Sequence, residues 1–566
     1  MRRQHLHTFF MVILLALATS HSEALSGLQD ELGRDPANMA SSYVPIDSWV
    51  YPAFELLAAK GLMQSAFFDL RPWTRLDCAR LVEEAEALAE DQHISDDTTG
   101  TLHSLRQEFV LELARRTGDR NAELKVESMY QRSTSIAGKP LTDGYHFAET
   151  LVNNDGRPFG QGTNLYSGIV MRATAGPFAA YLRTEAQRVS LASAPNAQTL
   201  QQIAVADFTP AGAAGPVSGF FRSRLLDANV SFAFKNNQFT FGQQTLWWGP
   251  AGSGATLFTN NAEPVNMLRY DRLRPIELPG FPRLLGPIRG QFLVGRLAGA
   301  QYVHTAETTF GTPGSALGNQ PWIHGEKITF EPTPNFQFGV SRTVLFAGKG
   351  APLTTSTFLR SMFSTGNASE QKDPGDRRSA FDAQYRIPRL RHCLTGYFDG
   401  FTDDEPFPLL YPSRSAWLSG FMYRCVPGLP HVTVRAEGLL SPQRSLFPGY
   451  YYFNVHYLSG YTNNRQLLGS WIGREAQGEQ IWTTWQITPR SSVELSGRSM
   501  NASSDFLHGG SLRDLRATAE LALGAEWQLH VEDQVEQWHF PQLQAQTQHN
   551  NEVTLQLSYR PSGHGK

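Results

Sequence analysis

The chain has 566 residues, of which 18% are charged and 11% aromatic, with 49 Gly, 35 Phe, 18 Tyr and 11 Trp and a formal charge of −3. That balance excludes a broadly basic nucleic-acid binder, and beyond the N-terminus no stretch reaches the about 18 apolar residues that a membrane helix needs. A large soluble β protein and an outer-membrane barrel both suit such a composition.

Residues 1–24 read as a signal peptide. Arg2 and Arg3 precede an apolar run over 9–18, and Ser22-Glu23-Ala24 offers small residues where a signal peptidase cuts. Over 41–118 the periodicity is helical. Pro52 suits the first turn of one helix and Gly61 its stop; Thr74 caps a second, in which Leu76, Ala79, Leu81, Val82, Ala85 and Leu88 recur at helical spacing; a third is predicted over 101–116. Fewer than about 80 residues make a marginal core, so this bundle is expected to lean on the rest of the chain.

From 121 to 560 the period changes to two. Leu124, Val126 and Tyr130 alternate with Lys125, Glu127 and Gln131, and Val230, Phe232, Phe234, Phe239 and Phe241 share a face around a turn at Asn236-Asn237. Near the C-terminus Val553, Leu555, Leu557 and Tyr559 are expected to face lipid, with Thr554, Gln556, Ser558 and Arg560 facing a lumen. Short turns alternate with long connections over 190–221, 247–288, 343–377 and 439–479. That asymmetry is the mark of an outer-membrane barrel, here of 16 to 20 strands, an even number being normal.

"WWGPAGSGATLFTNN" is the most unusual stretch. Gly249, Gly254 and Thr256 fit a phosphate-binding loop, but Ala255 stands where the lysine belongs, so nucleotide binding is not expected. Adjacent strand residues point to opposite faces, which predicts one indole of Trp247 and Trp248 toward the lipid interface and one toward the lumen or the loop cap. Asn260 and Asn261 supply amides, and Arg269 and Arg272 guanidiniums, for sugar hydroxyls and carboxylates. A folded loop that plugs the lumen accounts for the same residues more readily than direct sugar contact does, since loop folding alone can require these residue types. Tyr450, Tyr451, Tyr452 and Tyr457 are read as girdle and strand packing. Asp403, Asp404 and Glu405 lack the ligand spacing of a calcium loop and read as a solvated tip, so neither a metal nor another cofactor is expected. If 391–401 and 417–425 pair as a hairpin, Cys393 lies opposite Cys425; a cross-strand disulfide and two free thiols fit equally well.

"SSYVPIDSWVYPAFELLAAKG", "LRPWTRLDCARLVEEA" and "WWGPAGSGATLFTNNAEPVNMLRY" resemble the capsule assembly Wzi family of outer-membrane proteins. The resemblance implies an all-β transmembrane barrel of about 18 antiparallel strands with a periplasmic helical bundle at its mouth. It also implies extracellular loops that occlude the lumen and lectin-like attachment of capsular polysaccharide to the cell surface. Trp247, Trp248, Asn260, Asn261, Arg269 and Arg272 are then the candidates for polysaccharide contact. The implied partners are capsular or extracellular polysaccharide, outer-membrane lipid and polysaccharide export machinery, with no nucleic acid. An open porin is the competing reading. A hydrolase finds no local support, since neither H-E-x-x-H nor G-x-S-x-G occurs.

Overall fold

The computed structural model describes residues 34–561 except 91–94, 192–194, 210–218, 300–302, 305–308, 311–320, 349–351, 365–373, 404–406 and 442–446. The signal peptide and two of the three acidic tip residues, Asp404 and Glu405, lie outside the described residues.

Eighteen antiparallel strands close into a barrel. In chain order they are β1 (Ala122–Ala137), β2 (Gly162–Ala175), β3 (Phe178–Val189), β4 (Phe220–Phe234), β5 (Asn237–Gln244) and β6 (Val265–Arg272). Next come β7 (Ile288–Arg296), β8 (Trp322–Thr333), β9 (Phe336–Phe346), β10 (Asp376–Arg386), β11 (Leu394–Asp403) and β12 (Ala416–Tyr423). The last six are β13 (Val432–Leu440), β14 (Ala476–Thr488), β15 (Ser491–Ala502), β16 (Gly510–Leu523), β17 (Trp527–His539) and β18 (Gln548–Tyr559). Each strand pairs with its neighbour in sequence, and β18 returns to β1 in the register Met129↔Tyr559 to Ala137↔Asn551. Closure satisfies every edge, as a bilayer requires.

The wall alternates as a membrane barrel must. Phe239, Phe241, Leu495, Leu515, Val535 and Leu555 point outward and are exposed, whereas Thr240, Gln534 and Thr554 on the other face are buried in the lumen. At β1 the predicted alternation fails. The register slips between Val126 and Ser128, and a bulge of one residue exchanges the two faces beyond it. Tyr130 therefore enters the lumen, where its hydroxyl bonds Glu185 at 2.5 Å, and Gln131 faces outward beside Ser167. The β4–β5 turn also sits one residue earlier than predicted, on Lys235 and Asn236, both at positive φ as a two-residue hairpin turn needs. The predicted long connection 247–288 contains a wall strand, β6.

Connections of very different length divide the two mouths. At the turn end β2–β3, β4–β5, β8–β9 and β14–β15 are joined by two residues each, while the opposite, loop end carries 138–161, 190–219, 245–264 and 441–475.

Helices α1 (Val50–Ala59), α2 (Arg75–Glu90), α3 (Asp96–Glu108) and α4 (Val110–Arg116) sit at the turn end. The predicted third helix is two, broken at Phe109, whose fully buried ring stacks on Phe54. Thr74 Oγ1 accepts from Asp77 N at 3.2 Å at the start of α2. The bundle has its own core around Phe54, Leu57, Trp73 and Leu105 and is tied to the wall by charge: Asp77 to Arg289 at 2.6 Å, Glu112 to Arg172 at 3.5 Å and Glu123 to Arg115 at 2.8 Å.

Candidate functional site

The Trp247–Trp248 stretch leaves the wall and turns inward. These two residues pair with Leu70 and Arg71, which reach up from the bundle, so material from both mouths meets inside the barrel. Trp248 donates its indole N–H to Gln291 at 2.7 Å and meets Phe258 edge-on at 5.0 Å. Arg71 lies 5.2 Å over Trp247. Gly249 N donates to Asp69 O at 2.9 Å, and a Cβ at Gly249 would stand 2.7 Å from an Asp399 oxygen, a contact only glycine avoids. The loop's backbone groups are then consumed by wall carboxylates: Thr256 N by Asp399 at 2.8 Å, and Gly252 N and Ser253 N by Glu437 at 2.7 and 3.0 Å.

This placement corrects the expectation of an indole at the lipid interface. Face alternation holds only while a residue stays in the wall, and both tryptophans are buried in the lumen. Asn261 accepts from Asn153 N at 3.0 Å, and Asn260 donates to Asn153 O at 3.0 Å. Arg269 is buried with Asp271 at 2.7 Å, donates to Pro72 O at 3.1 Å and lies 4.2 Å over the Tyr43 ring. Arg272 sits at the opposite mouth, donating to Lys235 O and Asn237 Oδ1 at 2.9 and 3.2 Å. None of the six candidates lies on the outer surface of the loop end; four belong to the inward-folded loop, Arg269 ties wall strand β6 to Tyr43 and Pro72, and Arg272 braces the turn end.

The loop-end cap is held by a charged clasp. His146 places Nδ1 2.8 Å from Asp143 and Nε2 2.7 Å from Asp207, the last residue of α5 (Ala197–Asp207). Arg474 joins Asp207 at 2.5 Å and donates to Gly449 O at 2.6 Å, so connections 138–161, 190–219 and 441–475 share one network. Asp143 and Asp207 hold the His146 imidazolium against the cost of burial, pushing its pKa up to about 10, and both carboxyls lie below their usual range. Tyr451, Tyr452 and Tyr457 are buried in this cap. That corrects their reading as a membrane girdle: the segment 447–461 folds over the lumen instead of crossing the wall.

Above the clasp lies an aromatic ledge. Phe208, 57% exposed and in a left-handed conformation at the end of α5, sits 6.2 Å from Phe447 and 5.9 Å from Phe453, with Tyr450 5.4 Å from Phe447. Rings in such an array offer apolar faces to a sugar.

The family model for capsule assembly protein Wzi matches residues 131–553. The chain belongs to the Wzi family. The solved Escherichia coli Wzi, described as an outer-membrane protein involved in group 1 capsule assembly and a carbohydrate-binding β-barrel, is similar at a TM-score of 0.65 and 15% identity. That match covers 93% of this chain and 100% of the other, and at this identity it speaks for the fold. A 55.8 kDa protein of the cps region of Klebsiella pneumoniae is 25% identical over 191 residues, 33% of this chain; the match spans about a third (34%) of that relative's length. OccK7 of Pseudomonas aeruginosa matches over 76% of this chain and 98% of its own, with a TM-score of 0.40 and 11% identity.

As a Wzi-family barrel with a lipid-facing apolar wall, the protein resides in the outer membrane. Its ledge went unread in the sequence because Phe208 lies about 240 residues before the aromatic run that holds Phe447 and Tyr450, and that run reads as wall packing until the chain is folded. Cys393 and Cys425 form a disulfide, with Cα atoms 4.9 Å apart, that joins two turn-end connections beyond the Leu394↔Tyr423 pair. Cys78 is a buried thiol in α2, and burial pushes its pKa up.

Proposed function

We propose that this protein attaches capsular or other surface polysaccharide to the cell surface through its loop end, by binding without chemistry. The match of the Wzi family model to 131–553 carries this reading. In it the loop end faces the exterior and the helical bundle lies in the periplasm, in keeping with the short turns of outer-membrane barrels on the periplasmic side. The Phe208–Phe447–Tyr450 ledge supplies ring faces, and polymer retention is multivalent: many repeats meeting many barrels gain about 10²- to 10⁴-fold over one contact. The family members' place in capsule assembly makes the polysaccharide export machinery the proposed protein partner.

The porin reading has less support, because Trp248, Phe258, Tyr452 and Tyr461 fill the lumen from above and Leu70 meets them from below. The test is deletion of the gene, and separately Phe208→Ala with Tyr450→Ala in a barrel shown to assemble, with surface-bound and shed polymer measured. Attachment is expected to fall in both. Unchanged attachment after deletion refutes the function; an effect of deletion alone moves the contact off the ledge.

A further inference from the structure

Between the bundle and the wall formed by β1–β3, β14 and β16–β18, the lumen is not filled. A chamber of about 550 Å³ remains there, in the range of about 300–1,000 Å³ typical of small-molecule sites. Its outer end lies at the turn end, beside Arg490, Ala525 and Arg560; its inner end is closed by Gly252, Ser253 and Asn260 of the inward-folded loop.

Three features separate this chamber from a packing defect. First, it is polar, and cationic side chains outnumber carboxylates nine to six along its lining. Second, five residues that border the chamber, Asn153, Asn260, Gln480, Arg132 and Arg183, each keep one side-chain atom, shielded from solvent, that lacks a partner among the described residues (Asn260 Oδ1, Gln480 Oε1, Asn153 Oδ1, Arg132 Nε and Arg183 Nε), so none of these side chains is fully committed to its neighbours. Asn260 is 7% and Gln480 9% exposed, so bulk solvent does not reach them freely, and buried groups of this kind are normally paired. Third, the half-buried indoles of Trp49 and Trp482 both border the space. Amide oxygens for hydroxyl donors, guanidiniums for a carboxylate and ring faces for a pyranose are the complement of an acidic sugar.

We propose that the chamber binds an acidic saccharide, a sugar unit bearing a carboxylate, that enters from the turn end. The class of saccharide rests on the polysaccharide reading above; the site and its mouth do not. The site is separate from the aromatic ledge, since the plug of Trp247–Asn261 lies between them. In this arrangement one protein meets the polymer's chemistry on both sides of the membrane, and Asn260 acts from the ceiling of the chamber and not from the cell surface.

A cysteine placed at Gln528, on the turn-end wall of the chamber, reports occupancy. In the described protein Cys78 is buried and Cys393 and Cys425 are bonded to each other, so the introduced thiol is the accessible one. The full-length Gln528→Cys protein is treated with a membrane-impermeant maleimide in intact cells and in permeabilised ones, with and without a glucuronate-containing oligosaccharide or its carboxyl-reduced form. We expect labelling only after permeabilisation, slowed tenfold or more by the acidic oligosaccharide and not by the neutral one. Adding Arg132→Gln should abolish that protection, with heat-modifiable migration confirming the barrel.

Labelling in intact cells overturns entry from the turn end. Equal protection by both oligosaccharides overturns the acidic specificity, and no protection by either leaves a water-filled vestibule and overturns the site. If deletion leaves polymer attachment intact while protection persists, the surface function fails and the chamber stands; lost attachment without protection is the reverse.

Discussion

His146 is wedged between Asp143 and Asp207, and the sign of its pH dependence follows from that position. Its folded pKa, about 10, lies above the unfolded 6.5, so the clasp's contribution is fully present below about pH 6.5, declines above it and is gone near 10. The two carboxylates, held low, lose their contribution only when pH falls below the usual carboxylate range. Proteolysis within α5 is therefore expected to stay slow from pH 5 to about 6.5 and to accelerate toward pH 10, with His146→Asn fast throughout; a flat profile in the native protein contradicts the clasp. Trp248 is a second residue-scale case. Truncation to Ala empties a fully packed site and costs about 3–5 kcal/mol, read as a lower midpoint of heat-modifiable migration. A midpoint equal to wild type would mean that the loop is not packed as described. The residues of this site were visible in the sequence as a cluster, but their direction was not. Period-two alternation cannot announce that the chain leaves the wall after Gln244, and the partners of Asn260 Nδ2, Asn261 and Arg269 come from 72, 153, 271 and 467.

At the scale of elements, the plug is a joint between two distant segments. Leu70↔Trp248 and Arg71↔Trp247 couple the bundle to the 245–264 loop, so loosening one is expected to loosen the other. Arg71→Pro removes a backbone donor from that pairing, and limited proteolysis within 245–264 should rise even though the substitution lies in the bundle. Unchanged cleavage there would show the two halves to be independent. Most strands were legible because their outward faces read Phe-x-Phe or Leu-x-Leu, as in 239–241 and 555–557. The exceptions are physical. One bulge after Val126 swaps the faces of β1, and the break at Phe109 divides a helix whose apolar spacing is continuous across it. The bundle's dependence on the barrel was legible from its size; the ion pairs that deliver it, Asp77 with Arg289 and Glu112 with Arg172, join residues far apart in sequence.

The whole molecule is a closed barrel in the outer membrane, stoppered at mid-height, capped at the loop end and chambered at the turn end. Conductance follows from that. The reconstituted protein is expected to pass little current, and large stable channels would favour the porin reading. The barrel class, the helical mouth and the occluding loops were readable from turn asymmetry and from family motifs, whereas the ledge and the chamber are products of closure, since each draws on connections or strands spread over the chain. Retention of polymer at the loop end of a closed barrel can be measured on whole cells. Surface-bound and shed polysaccharide are measured in cells carrying the intact gene, lacking it, and complemented with it. Deletion is expected to leave total polymer normal and to shift it from bound to shed, with complementation restoring it; an unchanged bound fraction in the deletion strain would show that the barrel does not hold the polymer.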